Sequence, residues 1–213
     1  MSFSPYEDNG GTTLALSGKD FCIIAGDTRL SKGYSIQTRN CTKLVQLTTN
    51  CVLVSAGCQA DISTLHKVLK ARLAFYENAH GKEMSVTAIA QMLSNILYYK
   101  RFFPYYTFNL VAGLDAEGKG AVFGYDAIGS YQRISGGAQG SGQTLIQPLL
   151  DNQRDFKMQT KPRKPLDKDA ALDLVKDAFT GAGQRDIHTG DSVEIRIITK
   201  KGIEEQMLQL RED

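Results

Sequence analysis

The chain has 213 residues, 42% of them apolar and 23% charged, with 25 Lys and Arg against 23 Asp and Glu. That length supports one sizeable domain over residues 1–213, removing about 70% of the unfolded chain's surface from water, and the composition excludes disordered and fibrous classes. A net charge of +2 is too small to imply nucleic acid, and the apolar runs fall far short of the ~20 residues of a membrane span, so neither a nucleic acid nor a membrane is expected as a partner.

Residues 13–16, 21–25, 43–47 and 51–56 alternate apolar and polar side chains or run apolar in short bursts, which predicts strands, with Ser17-Gly18-Lys19-Asp20 as the first hairpin turn. Two amphipathic helices follow. Over residues 61–78, Ile62, Leu65, Val68, Leu69, Leu73 and Phe75 recur at helical spacing, and Val86, Ile89, Leu93, Ile96 and Leu97 do so again before Pro104 ends the segment. Strands resume at residues 107–112 and 121–125 around a turn at Asp115-Ala116-Glu117-Gly118.

A third helix is predicted over residues 142–152, and a fourth from Asp167 as cap, with Leu172, Val175 and Phe179 on one stripe. Strands at 192–199 and 203–210 close around Lys200-Lys201-Gly202. This order does not alternate as a parallel βαβ fold would. It predicts an α+β fold of four layers, αββα, in which two antiparallel sheets pack face to face between helix pairs.

The four cysteines contain no Cys-x-x-Cys pair and the three histidines are scattered, so neither a metal nor a cofactor is expected. Cys22 and Cys51 lie in apolar runs and read as small buried thiols. His66 and His80 read as surface residues, and His188, beside Asp186, receives no catalytic role. The basic stretch Lys157, Lys161, Arg163, Lys164 and Lys168 is diluted by Pro162, Pro165 and Asp167 and reads as a solvated loop. Six aromatics fall within residues 98–106, a density that fits either a core or an interface anchor. The opening residues lack a basic head and an apolar stretch, so they do not form a secretory signal as written, and a home in cytoplasm and nucleus is expected.

Gly10-Gly11-Thr12-Thr13-Leu14-Ala15, Ala25-Gly26-Asp27-Thr28-Arg29, Lys43 and Ser55-Ala56-Gly57 stand in the order found in the proteasome β-subunit family of N-terminal-nucleophile hydrolases, which the chain resembles over nearly its whole length. Active members expose a threonine whose hydroxyl attacks while its own α-amine assists proton removal. A lysine, an aspartate that holds it and a glycine N–H at the oxyanion support that residue. The resemblance puts Gly11 at the nucleophile position, Asp27 and Lys43 at the charged pair and Gly57 at the oxyanion glycine. Gly140-Ser141-Gly142 matches the serine loop, and Asp186 with Thr189 matches the second aspartate and its hydroxyl partner. Ser141 and Thr189 also read as residues that bond locally near turns.

Glycine has no hydroxyl, and removing a protease nucleophile costs on the order of a millionfold in turnover. The resemblance, closest to the eukaryotic non-catalytic β6-type branch, therefore implies no catalytic residue of its own and residues 1–10 retained as an extension or trimmed by a neighbour. It implies as partners the β5-type and β7-type ring neighbours, the opposite β ring and the α ring. Asp115 or Asp126 would line a neighbour's substrate channel. The alternative is an active threonine endopeptidase with Thr12 as nucleophile. Alternation along a strand would then turn that hydroxyl to the wrong side unless the register shifted.

Overall fold

The computed structural model describes residues 4–157, 159–160 and 164–211. Residues 1–3 of the extension, and Lys161, Pro162 and Arg163 of the basic stretch, lie outside them. The chain opens with strands β1 (Thr12–Ser17) and β2 (Phe21–Asp27), whose connecting turn is closed by Gly18 N–H on the Phe21 carbonyl at 2.8 Å. A short hairpin, β3 (Leu30–Lys32) and β4 (Ser35–Thr38), precedes β5 (Leu44–Thr48) and β6 (Cys51–Gly57). Helices α1 (Gln59–His80) and α2 (Val86–Tyr99) follow, then β7 (Thr107–Leu114), β8 (Gly120–Tyr125), β9 (Tyr131–Ile134) and β10 (Gly136–Gly140). Helices α3 (Gln143–Gln153) and α4 (Lys168–Gly183) lead into β11 (Ser192–Thr199) and β12 (Gly202–Gln209).

Two five-stranded sheets result, in the orders β10-β1-β2-β11-β12 and β5-β6-β7-β8-β9, with every pairing antiparallel. Their facing surfaces meet through Ala15, Cys22, Ile24, Val52, Val54, Leu110, Ala112 and Val122. On the outer face of the first sheet, Leu14, Ile23, Val193 and Ile195 pack against Ile146 of α3 and Val175 and Phe179 of α4. On the outer face of the second, Leu53, Val111 and Phe123 pack against Leu65 and Leu69 of α1 and Ile89 and Leu93 of α2. Full burial of each such side chain is worth about 1.5–3 kcal/mol. These three apolar seams hold the four layers together.

Asp167 caps α4 through the Ala170 N–H at 2.9 Å, as its position predicts. Cys22, in the seam between the sheets, and Cys51, in the seam between the second sheet and its helices, are buried thiols; burial pushes the Cys22 thiol up to about 12 and that of Cys51 upward too.

The structure corrects two readings. Phe75 points to solvent and is 76% exposed, because the helical stripe from Ile62 through Leu65, Leu69 and Leu73 turns away from it. His66 is not a surface residue: its Nε2 lies 2.9 Å from Ser55 Oγ, and burial lowers its pKa from 6.5 to about 4. Because the Ser55 hydroxyl donates to Asn109 Oδ1 at 2.7 Å, the neutral ring donates to Ser55.

Candidate functional site

The site lies at one end of the sandwich, where β2 of one sheet and β5 of the other bring their termini together. Asp27 closes β2 and Lys43 immediately precedes β5. Lys43 is 2% exposed, yet every one of its ammonium hydrogens has a destination: Nζ donates to the carbonyls of Asp27 and Arg29, each at 2.7 Å, and stands 3.1 Å from Asp27 Oδ1. Asp27 accepts in addition from the Thr12 N–H at 2.8 Å and the Gly190 N–H at 3.3 Å. Burial pushes the Asp27 carboxyl above its ordinary range, while the Lys43 charge and the N–H donors pull the other way.

Gly11 stands against this pair. Its φ is +85°, and a Cβ built there would fall 2.2 Å from Lys43 Cε, 2.7 Å from Nζ and 3.1 Å from Asp27 Oδ1. Its carbonyl extends the ladder toward β10, accepting from the Ser141 N–H at 3.0 Å and the Ser141 hydroxyl at 3.3 Å. With no side chain, Gly11 offers no hydroxyl to the lysine.

Thr12 faces the opposite way. Its Oγ1 accepts from the Gly142 N–H at 2.8 Å, at the head of α3, and lies 2.6 Å from Thr189 Oγ1. Thr189 in turn donates to Asp186 Oδ2 at 2.6 Å, and Ser141 Oγ donates to the same oxygen at 2.6 Å. The threonine hydroxyls thus form a relay that ends on Asp186. Thr12 is fully buried in it and turned away from Lys43. The structure therefore brings Gly11, Asp27 and Lys43 together on one side of β1, and Ser141, Asp186 and Thr189 with Thr12 on the other.

Gly57 ends β6 with φ +118°, a conformation that glycine adopts without a Cβ penalty. His188 does not pair through its ring with Asp186: its backbone N–H donates to Asp186 Oδ1, while ring Nδ1 meets Ser31 Oγ at 2.8 Å. A buried ion pair that the sequence reading missed stands behind the site. Arg29 holds Asp191 through Nε at 2.9 Å and Nη2 at 3.2 Å, and the Arg29 carbonyl is one of the acceptors of Lys43. Paired opposite charges in Ala25-Gly26-Asp27-Thr28-Arg29 and around Asp191 were the only sequence signal for it.

Asp115 and Asp126 occupy opposite ends of the second sheet. Asp126 follows β8 at the end where Gly57 pairs Thr107; Asp115 follows β7 at the other end, about 25 Å away along the strands. Asp115 is committed to its turn, accepting from the N–H groups of Glu117 and Lys119 and from Arg133 Nη2 at 2.9 Å. Of the two, Asp126 is thus at the Gly57 end of the sheet and Asp115 at the far end. Asp126 Oδ1 accepts from the N–H groups of Ile128 and Ser130, at 3.1 and 2.8 Å, and the residue is exposed.

The profile described as "Proteasome subunit" matches residues 7–198. A protein of Arabidopsis thaliana named proteasome subunit beta type-1 is 52% identical over 217 residues, spanning 100% of this chain and 97% of its own. The beta type-1 protein of Dictyostelium discoideum is 53% identical over 214 residues, spanning 99% of this chain and 91% of its own. A Schizosaccharomyces pombe protein named probable proteasome subunit beta type-6 is 42% identical over 220 residues, at 99% and 98% coverage.

Proposed function

The chain belongs to the proteasome subunit family, and from that premise we propose that it is a non-catalytic β-type subunit, a wall of the 20S core chamber. The observation that carries this reading is Gly11: the residue set against Lys43 and Asp27 has no hydroxyl, and the neighbouring Thr12 hydroxyl is bonded to Thr189 and Gly142 on the far side of the strand. Its charged pair serves the fold, because a buried ion pair that loses one partner leaves the other uncompensated.

As a wall subunit the chain assembles with β5-type and β7-type neighbours, the opposite β ring and the α ring, in cytoplasm and nucleus, with residues 1–10 an extension of a single domain. The exposed aromatics Tyr98, Tyr99, Phe102 and Phe103 at the end of α2 support a buried role in an assembly. The test is the intact mass of this chain in purified particles exposed to an electrophilic threonine-protease probe. A chain carrying residues before Gly11 and no adduct, beside labelled neighbours, is the expected result; a chain beginning at Thr12 with an adduct refutes the reading.

Asp126 is the channel residue of this reading. Asp126→Ala in assembled particles is expected to change the KM for hydrophobic fluorogenic peptides cleaved by a neighbour, with Asp115→Ala inert by comparison. Unchanged kinetics in the Asp126 variant would remove it from the channel.

A further inference from the structure

Phe156 and residues 165–168, at the two ends of the basic stretch after α3, line a cavity of about 750 Å³ together with the β1–β2 turn. Leu16, Phe21 and Ala171, all buried, form its floor, and half-buried Phe156 and Leu166 its walls. A second cavity, of about 490 Å³, opens beside it between the start of α4 and the β11–β12 turn, and the two share Asp20, Phe21 and Lys168. They form one trough across the turn tips, at the ends of β1 and β2 remote from Gly11 and Asp27. Together they exceed the roughly 300–1,000 Å³ of a pocket for a compact ligand, and their connection end to end suits an extended chain.

The charges around the trough do not cancel. Arg154 and Asp155 pair with each other at 2.6 Å, and Arg154 also donates to the Ser17 carbonyl at 2.6 Å. Asp167 is committed to the cap of α4. Lys19, Lys168, Lys200 and Lys201 make no ion pair among the described residues, and the carboxylates left beside them are Asp20 and Glu204. Exposed Lys164, next to Pro165, adds to the excess. An apolar floor under an unpaired cationic rim is complementary to a ligand that sets apolar groups between carboxylates.

We propose that this trough is a docking site for an acidic segment of a partner protein, an extended peptide that carries aromatic or aliphatic side chains between its carboxylates. The carboxylates meet Lys19, Lys168, Lys200 and Lys201 at the rim, and the apolar side chains enter over Phe21, between Phe156 and Leu166. The lysines steer the encounter and the apolar contacts hold it. Because the rim is exposed, the association weakens with salt. This inference goes beyond the non-catalytic reading and does not depend on it: the trough and the Gly11 site lie at opposite ends of the sandwich and share no residue.

Fluorescence anisotropy tests it, with a fluorescein-labelled peptide in which Glu and Phe alternate, added to purified particles whose active sites have been closed by an electrophilic threonine-protease probe. Lys19→Glu with Lys168→Glu in this chain is expected to weaken binding at least about tenfold; both side chains are exposed, so the variant folds as the native chain does. Lys67→Glu with Lys70→Glu makes the same change of charge on the exposed face of α1 and is expected to leave binding unchanged. A peptide with Ser in place of Phe should bind at least about tenfold more weakly, as should one with Lys in place of Glu. The proposal fails if the Glu-Phe peptide does not bind, if the two double variants weaken it equally or not at all, or if either altered peptide binds as well as the first.

Discussion

Gly11→Thr is expected to destabilise the chain without making it react with an electrophilic threonine-protease probe. Restoring the missing hydroxyl looks like the shortest route back to a protease, since Asp27, Lys43, Gly57, Ser141, Asp186 and Thr189 are all in place. The geometry opposes it. The φ of +85° at Gly11 lies where a β-branched residue is strained by about 1–3 kcal/mol. A Cβ there would also stand 2.2 Å from Lys43 Cε, and relieving that contact by moving the lysine costs about another 1–3 kcal/mol of overpacking. Moving Lys43 also breaks its bonds to the carbonyls of Asp27 and Arg29. The self-cleavage needed to free an α-amine would have to start from this obstructed conformation. Thermal unfolding of the full-length variant and its intact mass after probe treatment check both halves. A variant cut before residue 11 and carrying the probe would mean that the hydroxyl was the only thing missing.

The layers were legible in the sequence because each is written in a period: two for the strands, 3.6 for the helices, with Gly18, Gly118 and Gly202 at the turns. What escaped was short or made of glycine. β3 and β4 are three and four residues long and largely exposed, so no apolar alternation marks them. β10 is Gly-Gly-Ala-Gln-Gly, a composition that reads as loop; it is a strand because β1 offers it a complete ladder from Thr12↔Gly140 to Leu16↔Gly136. Tertiary pairing there overrides local preference.

The site divided the same way. Asp27, Lys43 and Gly57 sit at strand ends, where order along the chain and resemblance both point to them. Asn9 and Asp191 carry no such signal: each works through partners that are distant in sequence, Gln59 and Gly57 for one, Arg29 for the other. The side toward which Thr12 turns its hydroxyl followed from alternation alone, and the contact with Thr189 is its physical expression.

Lys43→Met carries the other large expected effect, a loss of about 3–5 kcal/mol in stability that shrinks as the pH falls. Methionine matches the length of the lysine stem but returns nothing to the three oxygens that Nζ serves. The Asp27 carboxylate, 0% exposed, would keep only its N–H donors from Thr12 and Gly190. Burial already pushes the Asp27 carboxyl upward, and the lysine charge is the largest influence opposing it; without that charge the folded-state pKa rises further. A carboxyl whose folded pKa exceeds its unfolded value contributes stability that is present at low pH and lost as the pH rises through the folded pKa. The deficit of the variant should therefore be largest near neutrality and smaller as Asp27 takes up its proton. Unfolding of the full-length chain by denaturant from about pH 8 to about pH 5 gives the profile, and adding Asp27→Asn to Lys43→Met should recover much of the loss at the upper end. A deficit below about 1 kcal/mol would place this pair among weakly contributing surface bridges. A deficit independent of pH would mean that the unpaired carbonyls of Asp27 and Arg29, and not the stranded carboxylate, set the cost.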